Sequence, residues 1–148
     1  MRRELVIAFP DEDVEARAPL LADLAPRTCE AVWAALPVRG QARHAIYSGS
    51  EVYLILPELM RLPPENATTR VVPGDVAFGW FAAGSFYGAH EDYCEVCWFY
   101  DRDATPSTPE GPIPVSLFAR LEQAEALFEV CNGMRLEGAK EVELRRSG

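Results

Sequence analysis

The hydrophobic pattern changes period twice in the first third of the chain. Arg2 to Phe9 carries β-branched and aromatic residues and stops at the turn pair Pro10-Asp11, which predicts a strand. Val14 to Leu21 places Val14, Ala16 and Ala18 on one face and reads as its return partner. The period then lengthens. Cys29, Val32, Trp33 and Leu36 fall at i, i+3, i+4 and i+7, a single buried stripe on a helix that starts at Pro26. Pro37 and Gly40 are expected to close it.

The middle of the chain returns to strand patterns. Gln41–Tyr47 and Glu51–Leu56 flank the turn Ser48-Gly49-Ser50 as a hairpin. Pro57 to Asn66 reads as irregular, Thr68–Val72 as a short strand, and Pro73-Gly74-Asp75 as a turn into the strand Val76–Phe81. Gly84 to Asp92 is a glycine-containing loop of polar and aromatic residues, and Tyr93–Tyr100 is the most apolar strand. Asp101–Pro112 is a long polar loop. Pro114–Leu121 reads as a half-buried strand with Val115, Leu117, Ala119 and Leu121 inward. A second helix follows from about Glu122 to Cys131, with Asn132-Gly133 as its stop, and Val142 and Leu144 mark a last short strand. No repeat or linker interrupts the order, so residues 1–148 are expected to form a single domain.

Charge removes several function classes. Asp and Glu outnumber Lys and Arg by 23 to 14, a net charge of −9, whereas phosphate binding needs clustered cations; no nucleic-acid partner is expected, and no anionic membrane surface. Lys140 is the single lysine, which leaves lysine-based covalent chemistry almost nowhere to sit. The apolar run Leu5–Phe9 is too short for a signal sequence and is followed at once by acidic residues, and no run approaches bilayer length. Cys29, Cys94, Cys97 and Cys131 therefore read as reduced thiols in a cytoplasmic protein.

Two helices and about eight strands in this order resemble the cyclophilins. Ala25-Pro26-Arg27-Thr28, Val72-Pro73-Gly74-Asp75 and the aromatic strand around Trp98-Phe99 fall where that family has an Ala-Pro-x-Thr helix start, a Pro-Gly turn and an aromatic strand. The chain is also similar to a bacterial family of uncharacterised, small cyclophilin-like proteins. The residues that carry this are Ala25-Pro26-x-Thr28-Cys29, His44-x-x-Tyr47-Ser48-Gly49-x-x-Val52, Pro64-Glu65-Asn66-Ala67-Thr68, Pro73-Gly74-Asp75 and Glu137-Gly138-Ala139. The resemblance implies a mainly β fold, a closed barrel of about eight strands with a helix capping each end. Prolyl isomerase activity is only the third reading, because its catalytic motif is not matched. The Phe-His-Arg segment of active cyclophilins is replaced by Ala42-Arg43-His44-Ala45, and strand alternation sends Arg43 and His44 to opposite faces. The family's Gln-Gly-Gly segment is missing as well.

The candidate chemistry is sparse. Cys94-Glu95-Val96-Cys97 has redox or zinc spacing, but residues three apart on a strand face opposite ways and nothing completes four ligands. No metal and no cofactor is expected. His44 and His90 are the only histidines; each reads either as a pole of a pocket or as an ordinary strand or loop histidine. Glu65 beside Asn66 reads as capping a turn. Glu91 or Glu95, pointed into a barrel mouth, would be a general base or an anchor for a cationic ligand. The preferred reading is a small-molecule-binding protein or enzyme with a pocket between the Arg43–Glu51 hairpin and the Gly84–Glu95 loop. His44, Arg43 and Glu91 are the candidate catalytic or polar groups there, and Tyr47, Glu51, Trp80, Tyr87 and His90 the ligand contacts. The alternative is an interaction module whose aromatic loop docks a partner chain or a second copy, so a homo-oligomer is compatible with the pattern.

Overall fold

In a computed structural model that describes residues 2–148, period-2 segments become strands and the two period-3.6 segments become helices. The strands are β1 (Glu4–Phe9), β2 (Val14–Pro19), β3 (Val38–His44), β4 (Glu51–Ile55), β5 (Ala67–Thr68), β6 (Asp75–Phe81), β7 (Tyr93–Phe99), β8 (Ser107–Thr108), β9 (Gly111–Pro112), β10 (Val115–Arg120) and β11 (Lys140–Arg146). The helices are α1 (Pro26–Ala35) and α2 (Glu125–Glu137). Nine strands form one antiparallel sheet in the order β2-β1-β11-β3-β4-β7-β6-β10-β5, and β8 and β9 pair as a separate ribbon.

The sheet curls into a half-barrel that stays open, with more strands than the eight expected, which corrects the closed barrel. At the seam between β2 and β10, two isolated bridges, Arg17 with Glu122 and Leu20 with Ala119, stand in place of a ladder. The reason is local. Pro19 has no N–H to offer, and the chain leaves the sheet just after it to enter α1. α1 packs on β10 and α2 on β2 and β3, and with the concave face of the sheet they enclose the main core.

Three boundaries differ from the sequence pattern. Gly40 lies within β3 rather than ending a helix; a Cβ there would meet Leu54 Cδ1 at 2.9 Å, so bare backbone lets Leu54 lie across the strand. α2 runs through Asn132-Gly133 to Glu137, because Met134 extends the buried stripe of Leu127 and Cys131, and it stops at Gly138 with φ +86°. In β10 a bulge between Leu117 and Ala119 switches faces, so Ala119 and Leu121 join the main core while Val115 and Leu117 point outward into a second apolar cluster. That second cluster lies on the convex side, where the 101–114 segment folds over the sheet and Ala104 packs with Ala77, Cys97 and Phe99. Among the described residues no helix is long and apolar enough to cross a membrane.

Candidate functional site

Alternation along β4, β7 and β6 sorts their side chains onto two faces. Val52, Trp98 and Val76 are cross-strand partners on the concave side, and Tyr53, Cys97 and Ala77 are partners on the convex side. Glu51 shares the convex face with Tyr53, two residues on, and Glu95 shares it with Cys97. Gly79 sits opposite Glu95, and its missing side chain lets the Phe81 ring lie against the strand there, where a Cβ would meet Phe81 Cζ at 3.3 Å. The carboxylate oxygens of Glu51 and Glu95 and the Cys97 sulfur all lie within 4.8 Å of one another.

Over the two carboxyls is a cavity of about 310 Å³. The β3–β4 connection contributes Tyr47 and Ser48, the β6–β7 loop contributes Phe86 and Tyr87, and the 101–114 segment contributes Pro106 and Ile113. Phe81 and Tyr93 form the back, with the Phe81 ring edge-on to Phe86 at 5.5 Å and tilted against Tyr93 at 5.2 Å. Hydrogen bonds hold the walls in place. Ser48 accepts from Ser107 N through its hydroxyl (2.9 Å) and from Thr105 N through its carbonyl (2.9 Å), and Ser50 Oγ donates to Asp103 Oδ1 at 2.5 Å. Gly49 makes this clasp feasible: its φ is +73°, and a Cβ would strike the Asp103 carbonyl oxygen at 2.3 Å. Across the cavity, Asp92 fixes the β6–β7 loop by accepting from Ala83 N (2.7 Å) and Arg61 Nη2 (2.7 Å).

The electrostatics follow from this enclosure. Burial pushes the Glu95 carboxyl well above the usual carboxylate range, and the charge of Glu51 pushes it further. Burial also raises Glu51, which is 5% exposed, although the Ser48 hydroxyl and the Cys97 thiol hydrogen-bond to it and oppose the rise. Cys97 is driven well above a normal thiol by burial and by both carboxyls, so it stays protonated. Tyr93 and Tyr53 are raised for the same reasons, burial first and Glu95 second. Among the described residues, neither Glu51 nor Glu95 forms an ion pair, and the lining includes no Lys, Arg or His.

The sequence-derived candidates divide accordingly. Tyr47, Glu51 and Tyr87 line the cavity. Arg43 is on the convex face beside Tyr53, its cross-strand partner, but outside the lining. His44 belongs to the other face. Its Nδ1 lies 2.8 Å from the Ala45 carbonyl, to which it can only donate, so Nε2 accepts from the Tyr100 hydroxyl at 2.6 Å. Burial lowers the His44 pKa, and the neutral ring serves as a strut on the inner side. Trp80 packs against the main core with Arg61 over its ring at 5.7 Å. His90 and Glu91 are exposed and do not line the cavity. Cys94 and Cys97 do face opposite ways, into the main core and the convex cluster.

Glu95, named as one of two alternatives, is the acid that reaches the cavity, and the pattern missed Tyr53, Phe86, Tyr93 and Cys97. A signal was available. Glu95 sits in the middle of YCEVCWF, a strand apolar on both faces, where a carboxyl is the exception that needs a reason.

Solved structures of similar shape exist at low identity. The hypothetical protein AF2241 from Archaeoglobus fulgidus matches over 99% of this chain and 95% of its own, with 22% identity and a TM-score of 0.64. McbB, solved in complex with tryptophan, matches over 99% of this chain and 45% of its own, with 15% identity and a TM-score of 0.64. At these identities the likeness is one of fold. No curated protein matches the chain significantly. The sequence profile of DUF3830, described as a protein of unknown function, matches residues 7–146, and the chain belongs to that family.

Proposed function

We propose that the protein binds a small molecule in its convex-face pocket and can move a proton to or from it. The observation behind this reading is the Glu51–Glu95 pair at the floor of an aromatic-walled cavity. Two acids this close, Glu51 buried and Glu95 half-buried, do not both ionise readily. A proton retained on one of them leaves one carboxyl a donor and the other an acceptor, the two forms that general acid–base work requires. Burying such a pair without cations costs folding stability, a cost typical of functional sites. McbB, of the same fold and solved with tryptophan, supports a ligand-binding use of such a scaffold. The finer architectural description, a cyclophilin-like half-barrel, is supported by element order and by the seam bridges between β2 and β10. A cytoplasmic location is supported by the four unpaired thiols.

A second reading, docking of a protein partner or another copy, is favoured by one feature: Ile46 and Tyr87 are each 83% exposed at the pocket rim. Thermal-shift screening against a panel of small metabolites, on the wild type and on Glu95→Gln and Phe86→Ala, separates the two. Compounds that raise the wild-type Tm and lose their effect in both variants are expected. Panel-wide silence, or binding that survives both substitutions, would refute the pocket reading.

A further inference from the structure

We propose that the ligand is a small organic monocation, an amine or quaternary ammonium on an apolar body, seated with its charge between Glu51 and Glu95. This rests on the pocket reading above and names its ligand class. The charge inventory excludes the opposite choice. An anion would enter a poorly solvated space that offers two carboxyls and, among the described lining residues, no cation. A neutral ligand would leave the cost of the acid pair unrelieved, whereas a cation turns that cost into attraction. The wall chemistry agrees, since Tyr47, Tyr53, Phe81, Phe86, Tyr87 and Tyr93 surround the acids with aromatic rings whose faces attract a desolvated cation. A cavity of about 310 Å³ is at the small end for ligands and suits a body of roughly 10–15 non-hydrogen atoms.

A bare divalent metal fits less well. The trio offers only three donors, and the aromatic walls would have nothing to contact. The proton balance is explicit. Burial and mutual repulsion favour a proton on the empty pair. When an ammonium enters, both carboxyls ionise, that proton passes to solvent, and the nitrogen keeps its own hydrogens with no covalent bond made. The other titratable groups facing the pair are Tyr53 on β4, Tyr93 and Cys97 on β7, Arg43 acting on Tyr53 from β3, and Tyr47 and Tyr87 at the rim. β6 and the 106–113 lining residues contribute none.

Titration calorimetry at neutral pH, repeated in buffers of different ionisation enthalpy, counts the released proton. The probes are phenethylamine, benzyltrimethylammonium, 3-phenylpropionate, 3-phenylpropanol, and magnesium or zinc chloride alone. Both cations are expected to bind at least about tenfold more tightly than the acid and the alcohol, releasing about one proton. Glu95→Gln and Glu51→Gln, each checked for folding by circular dichroism, are expected to abolish that release and weaken the cations. Equal or tighter binding of 3-phenylpropionate, no binding of either cation, or tight binding of a metal chloride alone would overturn the assignment. A neutral or anionic hit from the metabolite panel that is lost in Phe86→Ala would overturn the cation class and leave the pocket reading standing. Silence of the whole panel would sink both.

Discussion

Replacing Trp98 with Phe tests whether the concave sheet and α2 share one continuous core. Trp98 is fully buried on β7, edge-on to Phe9 of β1 at 6.4 Å, and its Nε1 donates to Cys131 Sγ on α2 at 3.3 Å. Phe hangs from Cβ where the five-membered ring of the indole does, so it leaves the outer part of the six-membered ring's space empty and offers Cys131 no N–H. The gap left there is roughly 40 Å³, which at about 24 cal/mol per Å³ costs about 1 kcal/mol. Transfer of the missing ring atoms adds about 1 kcal/mol. The N–H···S contact is weak and adds about 0.5 kcal/mol. The expected loss is therefore about 2–3 kcal/mol. For a chain of 148 residues this lowers Tm by about 6–9 °C. Urea and thermal unfolding should be followed by far-UV circular dichroism, because the substitution itself changes the fluorescence. Leu136→Ala, at a side chain 96% exposed on α2, is the control and should move stability by less than about 0.5 kcal/mol. A Trp98→Phe loss no larger than that control would refute the shared core.

Two further outcomes concern acids with opposite perturbations. The Glu95 carboxyl is raised by burial and by Glu51, so its folded form holds a proton that the unfolded chain, near 4.5, gives up first. Wild-type stability should fall as pH rises from 4.5 through the folded value. Glu95→Gln should remove that decline, gaining over the wild type toward neutral pH and matching it in acid; a pH-independent difference in Tm between the two would contradict the burial argument. Glu65 is the converse. Desolvation alone would raise it, but hydrogen bonds from Thr28 N at 2.7 Å, Thr28 Oγ1 at 2.8 Å and Arg27 N at 3.2 Å outweigh that and hold it below 4.5. Its contribution is complete above 4.5 and lost as pH falls through the folded value, so Glu65→Ala should be less stable than the wild type at neutral pH and converge with it on acidification. Tm against pH for the two proteins reads this directly.

Glu65 also illustrates how far local pattern reaches. Beside Asn66 and Pro64 it reads as a turn residue, yet it caps α1 from 37 positions away, satisfying the free N–H groups of a helix whose own N-cap is Ala25. His44 and Glu51 show the same limit. Both belong to the hairpin that drew attention in the sequence, but the alternation that separates Arg43 from His44 also sends His44 to the inner side and Glu51 to the cavity. Which side becomes the pocket depends on the loops that cover it, and strand periodicity carries no information about those loops.

Taken alone, the amino-acid order determined whatever depends on neighbours a few positions apart: the strand and helix segments, the mainly β class, the Pro26 helix start and the Ser48-Gly49-Ser50 turn. Only the tertiary structure decided that β2 and β10 meet through bridges instead of a ladder, that a bulge turns β10 over, and that Glu51 and Glu95 come together. Those two acids stand 44 positions apart in the chain; β4–β7 pairing sets Glu51 against Phe99 and Glu95 against Ile55, and their side chains reach toward each other over the Tyr53–Cys97 pair between them. The physical reason is that side-chain period is a local property of the backbone, whereas register and burial depend on which distant segments pack together.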